Sequence, residues 1–116
     1  MVTIDITPRQ ALEQLENDFG LASNDLASAL GISRRTLERW RSGEAYPQRE
    51  SREKLAELIE LDRYLQDAFI DSESVRMWLH AEARYLGWAT PAEMIRLGKP
   101  DRARAALEVL ESGIFL

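Results

Sequence analysis

The chain has 116 residues, enough for one ordinary domain or for two very small ones that share a core. Hydrophobic residues make up 45% of it and charged residues 30%, so the sequence favours a globular core over disorder. Because the chain contains no cysteine, disulfide scaffolds, thiolate zinc sites and cysteine nucleophiles are excluded. It contains a single histidine, His80. A multi-histidine metal site and a catalytic triad are equally disfavoured, so we expect no metal, no cofactor and no enzymatic activity.

The sequence predicts a cytoplasmic protein that makes no membrane contact. No apolar run approaches the roughly 20 residues that a membrane helix needs. The first five residues contain neither lysine nor arginine, whereas a signal peptide opens on basic residues.

The net charge of -5 is distributed unevenly along the chain. Residues 31–54 carry seven basic and four acidic side chains, whereas the segments before and after them each carry a net charge of -4. A local basic island in an acidic chain is typical of a nucleic-acid contact, although the overall charge alone argues against one.

The first predicted helix is delimited by strong local signals. Thr7 caps it, with Pro8 at its first position and Gln10 completing a capping box. Gly20 ends it. Apolar residues at helical spacing form its inner face, namely Ala11, Leu12, Leu15 and Phe19.

Two further short helices follow. Ser23 is expected to cap the second helix, which ends at Gly31, and Ser33 to cap the third, which ends at Gly43. Longer and shorter helices complete the chain, over residues 51–69, 75–83, 91–98 and 101–112, and Gly113 ends the last of them. The protein is therefore predicted to be all-α.

Residues 23–42 read SNDLASALGISRRTLERWRS and place a three-residue turn between two short helices. Ala27 is small where the helices would cross, and Gly31 suits the left-handed backbone of a sharp turn. The apolar residues of both helices face inward, which leaves the arginines of the third predicted helix of the chain on the outer surface. The segment resembles the helix-turn-helix of the Xre/Cro-like repressors, and with its flanking helices the match covers about residues 8–69.

A recognition helix that presents its N-terminal residues to the major groove brings such side chains to base edges. The expected base contacts are Arg34, Arg35, Thr36 and Arg39, with Ser33 beside them in the DNA-binding set. The expected phosphate contacts are Ser23, Asn24, Arg41, Gln48 and Arg49. Alternatively, the two helices contact protein and their arginines are merely solvated. Glu38 opposes tight DNA binding because its carboxylate repels phosphate, although it can pair with Arg34 or Arg41.

The second half of the chain carries a separate set of matching residues. They are Trp78-Leu79, Leu86-Gly87, Thr90-Pro91, Met94-Ile95 and Gly98, followed by a helix with Leu107 and Leu110 and by Gly113-Ile114. In these residues the chain resembles the C-terminal toxin-binding domain of the Xre/MbcA/ParS antitoxins. It departs from the family at residues 80–83, where a proline is common, and at Gly87-Trp88, where two glycines are common.

The resemblance implies the antitoxin of a type II toxin–antitoxin system. Its toxin would be a RES-domain protein, which consumes NAD or transfers ADP-ribose, and the antitoxin's C-terminal segment would occlude the toxin's active site. The resemblance also implies that the protein represses its own operon through operator DNA. The residues expected to contact the toxin are Trp88, Arg104, Glu111, Ser112, Gly113, Ile114, Phe115 and Leu116.

Elementary physical chemistry agrees with the predicted role of the last residues. An apolar Ile114-Phe115-Leu116 segment is costly to leave in water, and a partner groove would bury these side chains as anchors. The alternative is that the segment folds back onto its own domain. Trp88 lies in a glycine-containing turn and is the tryptophan most expected to be exposed.

The sequence thus predicts a DNA-binding domain with a long linking helix over residues 1–70 and a toxin-binding domain over residues 71–116. The long helix has more apolar residues than one small domain needs, which favours a homodimer on a pseudo-palindromic operator. Two other functions stay open. One is a stand-alone repressor whose second half only dimerises, and the other is an interaction module without DNA binding.

Overall fold

The computed structural model describes residues 6–113, which contain seven α-helices and one short 3₁₀ turn. These residues contain no strand, and the predicted all-α fold class is confirmed. The helices are α1 (Pro8–Phe19), α2 (Ser23–Leu30), α3 (Arg34–Ser42), α4 (Arg49–Ala68), α5 (Ser72–Leu79), α6 (Pro91–Arg96) and α7 (Pro100–Ser112), with the 3₁₀ turn at Arg84–Leu86.

Side-chain caps set the helix starts that the sequence predicts. The Thr7 hydroxyl accepts a hydrogen bond from the Gln10 backbone N–H, and the Gln10 side chain accepts one from the Thr7 N–H, which completes the capping box. Ser33 and Thr90 cap α3 and α6 by accepting from the backbone N–H three residues further on.

Two details of the first four helices correct the sequence predictions. Ser23 is the first residue of α2, and the cap position belongs to Ala22, which has no side-chain acceptor. The helix predicted over residues 51–69 ends one residue earlier, at the exposed Ala68, and Phe69 is its half-buried cap residue.

The helix predicted over residues 75–83 is displaced toward the N-terminus. α5 starts earlier because the Asp71 carboxylate accepts a hydrogen bond from the Ser74 N–H at 2.8 Å and so supplies a cap before the predicted start at residue 75. The helix ends at Leu79, and residues 83–89 form a tight loop closed by a hydrogen bond from the Ala83 N–H to the Ala89 carbonyl at 3.0 Å.

One hydrophobic core runs through both halves of the chain. α5 packs on α1, α6 on α2 and α7 on α4, so helices of the second half cover helices of the first. The Ser28 hydroxyl on α2 also donates a hydrogen bond to the Arg96 carbonyl on α6 at 3.0 Å. Buried side chains from both halves meet in this core, among them Phe19, Leu30, Leu37, Val75, Leu79, Ile95 and Leu107. Both segments of the predicted division at residue 70 therefore contribute to one core.

Candidate functional site

The turn between α2 and α3 has the backbone that its sequence predicts. Gly31 ends α2 in the left-handed region with φ 68°, and the N–H of Ile32 donates to the Ala27 carbonyl at 3.0 Å. Ser33 then starts α3 by accepting from the Thr36 N–H at 3.1 Å and donating its hydroxyl to Thr36 Oγ1 at 3.0 Å. These bonds fix the direction in which α3 leaves the turn.

The outer face of α3 is basic. Leu37 and Trp40 are buried beneath it, whereas the side chains of Arg34, Arg35 and Arg39 are exposed. The guanidinium of Arg39 lies 3.7 Å from the carboxylate of Glu44, an exposed pair that leaves the arginine accessible. Thr36 is half-buried and bonded to Ser33. The arginines expected to contact bases are thus presented together to solvent.

Arg41 has a different environment from the other arginines of α3. Its side chain is only 25% exposed, and its guanidinium pairs with the carboxylates of Glu16 on α1 and Glu38 on α3, the latter at 2.9 Å. Glu38 therefore takes one of the two partners expected for it, and its charge is partly neutralised within the protein. Arg41 ties α3 to α1, so its expected phosphate contact competes with two internal ion pairs.

The remaining residues of the DNA-binding set lie at two helix starts. Ser23 is half-buried and donates its hydroxyl to Glu16 Oε1 at 3.5 Å, whereas Asn24 is exposed. Gln48 precedes α4 and makes no side-chain cap, and Arg49 pairs with Glu53 at 3.2 Å on the surface. Asn24, Gln48 and Arg49 are therefore accessible to a phosphate chain.

Trp88 is exposed, as the sequence predicts, with 60% of its surface accessible. It follows Gly87, which ends the 3₁₀ turn, and it adopts a positive φ of 72°, the single non-glycine residue to do so among residues 6–113. Its N–H donates to the Ala83 carbonyl at 2.9 Å, which holds the strained residue at the tip of the loop.

Arg104 and Glu111 on α7 are linked through Tyr64 of α4. The Arg104 guanidinium stacks over the Tyr64 ring at 4.6 Å and pairs with Glu108 at 3.3 Å. The Tyr64 hydroxyl donates to Glu111 Oε1 at 2.5 Å, and this hydrogen bond raises the pKa of the tyrosine above its ordinary value. Both predicted toxin contacts are exposed and are held on one face of α7.

The end of α7 turns at Gly113, which has a left-handed φ of 75°, and the Ser112 hydroxyl donates to the Val109 carbonyl at 2.7 Å. The predicted toxin contacts Ile114, Phe115 and Leu116 lie outside the described residues.

A cleft that the sequence does not reveal opens beside Gly113. It has a volume of about 250 Å³ and is lined mainly by apolar side chains, including Trp78, Tyr85 and Leu110. Half of Leu110 is exposed, as is 69% of Met77 on α5. The sequence shows only that α7 and the 83–89 loop contain apolar residues. That the loop lies against α7 and forms a cleft with it can be seen only in the structure.

Two structural features are absent from the described part of the chain. Residues 6–113 bring together no group of three or more side chains suited to a metal ion. No helix in the same part of the chain is long and apolar enough to cross a membrane.

Comparison with known proteins decides the family. No family profile matches the chain. The probable mycobacterial cidal antitoxin Rv3188 of Mycobacterium tuberculosis is 31% identical over 98 residues, which covers 84% of this chain and 83% of the relative. The chain belongs to the mycobacterial cidal antitoxin family. A second member of this antitoxin family, MbcA of M. tuberculosis, is 28% identical over 109 residues and covers 91% of this chain and 89% of its own length.

A solved structure agrees with the assignment. The M. tuberculosis MbcT–MbcA toxin–antitoxin complex contains a chain that superposes with a TM-score of 0.65 over 93% of this chain and 96% of that one, at 23% identity. At this identity the likeness concerns the fold. The family resemblance stated from the sequence is confirmed, and the protein is an antitoxin of a toxin–antitoxin system.

Proposed function

We propose that this antitoxin neutralises a RES-domain toxin with its second half and represses its own operon with its first. MbcA, a relative of similar fold, is known from a complex with its toxin MbcT. The observation that carries the toxin-binding proposal is the exposed face at the end of α7. Arg104, Glu111 and Leu110 are presented there, beside the cleft and directly before the apolar residues 114–116.

The proposed mechanism is steric and electrostatic. The apolar side chains of Ile114, Phe115 and Leu116 are the anchors, and they would be buried in the toxin's active-site entrance. Glu111 provides a carboxylate for the arginines expected in a nucleotide-binding cleft. Trp88 adds an exposed aromatic surface on the neighbouring loop.

A matched pair of substitutions tests the anchor. Phe115→Ser removes the proposed central anchor, and we expect the dissociation constant for the purified toxin to rise about 30-fold or more, the effect of a loss of about 2 kcal/mol. Ile70→Ser is the control, because Ile70 is 93% exposed in the connection between α4 and α5, outside the proposed toxin-binding residues. Equal affinities for the two variants would contradict the proposed anchor.

Repression rests on the basic outer face of α3. Arg34→Glu with Arg35→Glu is expected to abolish binding to the operon's own promoter fragment and to leave toxin affinity unchanged. Lys99→Glu with Arg102→Glu changes the net charge equally on α7 and its N-terminal side, so we expect it to retain DNA binding. If both double variants bind the promoter fragment with wild-type affinity, α3 does not contact the major groove. Toxin neutralisation is then the proposed function that remains.

One sequence feature that favoured a homodimer is explained by contacts within a single chain. The apolar residues of α4 that exceed the needs of a small domain are buried within the same chain, against the second half. A dimer would still place two recognition helices about 34 Å apart, one turn of DNA. Sedimentation of the antitoxin alone at micromolar concentration decides, since a monomer there contradicts the homodimer.

A further inference from the structure

The cleft beside Gly113 has walls that are held in place by contacts within the chain. The Trp78 ring of α5 packs against Phe69, with the ring centroids 5.7 Å apart. The Arg102 guanidinium of α7 lies 5.5 Å from the centre of the Tyr85 ring and so ties the 3₁₀ turn to α7. The chain therefore forms this cleft of about 250 Å³ without a partner.

The lining of the cleft favours an uncharged, apolar occupant. Besides the two aromatic rings, Val109 and Leu110 of α7 line it, and half of Leu110 is exposed. The two charged lining residues, Glu82 and Arg84, have opposite signs and so give the cleft no net charge. Because a cavity of about 150 Å³ lined by apolar side chains is large enough to bind benzene, this cleft has room for a phenylalanine ring.

The backbone at the end of α7 directs the following residues toward this cleft. Gly113 lines the cleft, is half-buried, and donates its N–H to the Leu110 carbonyl at 3.2 Å. This bond and the left-handed glycine are features of the Schellman motif, in which the residue after the glycine packs on a side chain five positions earlier. Here that pair is Ile114 and Val109, and Val109 lines the cleft. An extended chain advances about 3.5 Å per residue, so Phe115 is also within reach of a cleft that begins at Gly113.

We propose that in the free antitoxin residues 114–116 fold back at Gly113 and fill this cleft, with the Phe115 ring between Trp78 and Leu110. Docking removes from water the apolar surface of the segment and that of the cleft together. One consequence rests on the proposed function. If the toxin buries the same side chains, it binds only chains whose segment has left the cleft, and its apparent affinity is reduced by the fraction of such chains.

Nuclear Overhauser effects (NOEs) from the Phe115 ring test the docking in the full chain without toxin. The chain contains three phenylalanines, so with ring-labelled phenylalanine the Phe115 signal is assigned by its loss in Phe115→Leu. We expect NOEs from this ring to Trp78 and Leu110. Leu110→Glu places a charge in the cleft and should abolish the NOE to Trp78. Leu97→Glu is the matched control and should keep both NOEs, because Leu97 is 53% exposed at the end of α6 and does not line the cleft.

The proposal is overturned if the Phe115 ring of the wild type shows no NOE to these residues, or if Leu110→Glu and Leu97→Glu have the same effect on them. Saturation with the purified toxin then separates docking from the proposed function. We expect the NOEs to disappear as the segment leaves the cleft. NOEs that persist in the complex would leave the docking intact and contradict occlusion by residues 114–116, whereas their absence from the free antitoxin overturns the docking alone.

Discussion

Ile95→Ala tests whether the two halves of this antitoxin fold as one unit. Ile95 lies on α6, has no exposed surface and belongs to the core that α6 shares with α2. Truncation of a buried isoleucine to alanine costs about 2–5 kcal/mol, from lost burial and from the cavity left behind. With a urea slope of about 1.5 kcal/mol per molar, a loss near 3 kcal/mol lowers the unfolding midpoint by about 2 M.

The assay follows the first half while the substitution is made in the second. In a background with Trp78→Phe and Trp88→Phe, fluorescence reports Trp40, which is 7% exposed on the inner face of α3. If the core is shared, the Trp40 transition and the far-ultraviolet circular dichroism shift together. Leu110→Ala, half exposed in the same segment, should shift both by less than about 1 kcal/mol. A Trp40 transition unmoved by Ile95→Ala would show that residues 1–70 fold independently and would refute the reasoning.

Three further predictions concern backbone and caps. Gly31→Ala should lower the free energy of unfolding by about 1–2 kcal/mol, because it places a side chain at φ 68° and so strains the backbone. A clash adds little, since the nearest atom to the new Cβ is the movable Lys54 ammonium at 3.4 Å. Chemical denaturation measures the loss, and an unchanged midpoint would contradict it. Thr7→Ala removes the capping box and should cost about 1 kcal/mol by the same measurement, whereas a neutral result would mean that packing alone holds the start of α1. Trp88→Gly relieves a positive φ and should stabilise the fold by about 1 kcal/mol while weakening toxin binding; a stabilised variant with full toxin affinity would remove Trp88 from the proposed surface.

Features that depend on a few neighbouring residues could be predicted from the sequence. The Thr7 capping box, the Ser33 cap and the turn at Gly31 all form between residues no more than four or five apart, so the local pattern contains the whole interaction. The outward arginines of α3 follow for the same reason, because helical spacing alone places them opposite Leu37 and Trp40.

Features that depend on distant partners could not. An aspartate on an amphipathic helix normally faces water, and the burial of Asp62 requires Gln14, 48 positions earlier in the chain. The capture of Arg41 by Glu16 spans 25 positions. The shared core likewise depends on which helix covers which, and helical periodicity does not encode that choice. The early start of α5 is a different kind of error. The polar residues before Val75 do not continue the apolar pattern of the helix, but they contain its cap, Asp71.

Inhibition of the toxin by the intact antitoxin is the most direct test of the central claim, that the C-terminal segment occludes the active site. The activity of the purified partner toxin would be titrated with the full chain and with a chain truncated after Ser112. We expect the full chain to inhibit at a one-to-one ratio of binding sites, and the truncated chain, folded to the same extent by circular dichroism, to need at least about 30-fold more protein. Equal inhibition by both would contradict occlusion by residues 113–116 and would transfer the inhibitory contact to the described face of α7 and its cleft.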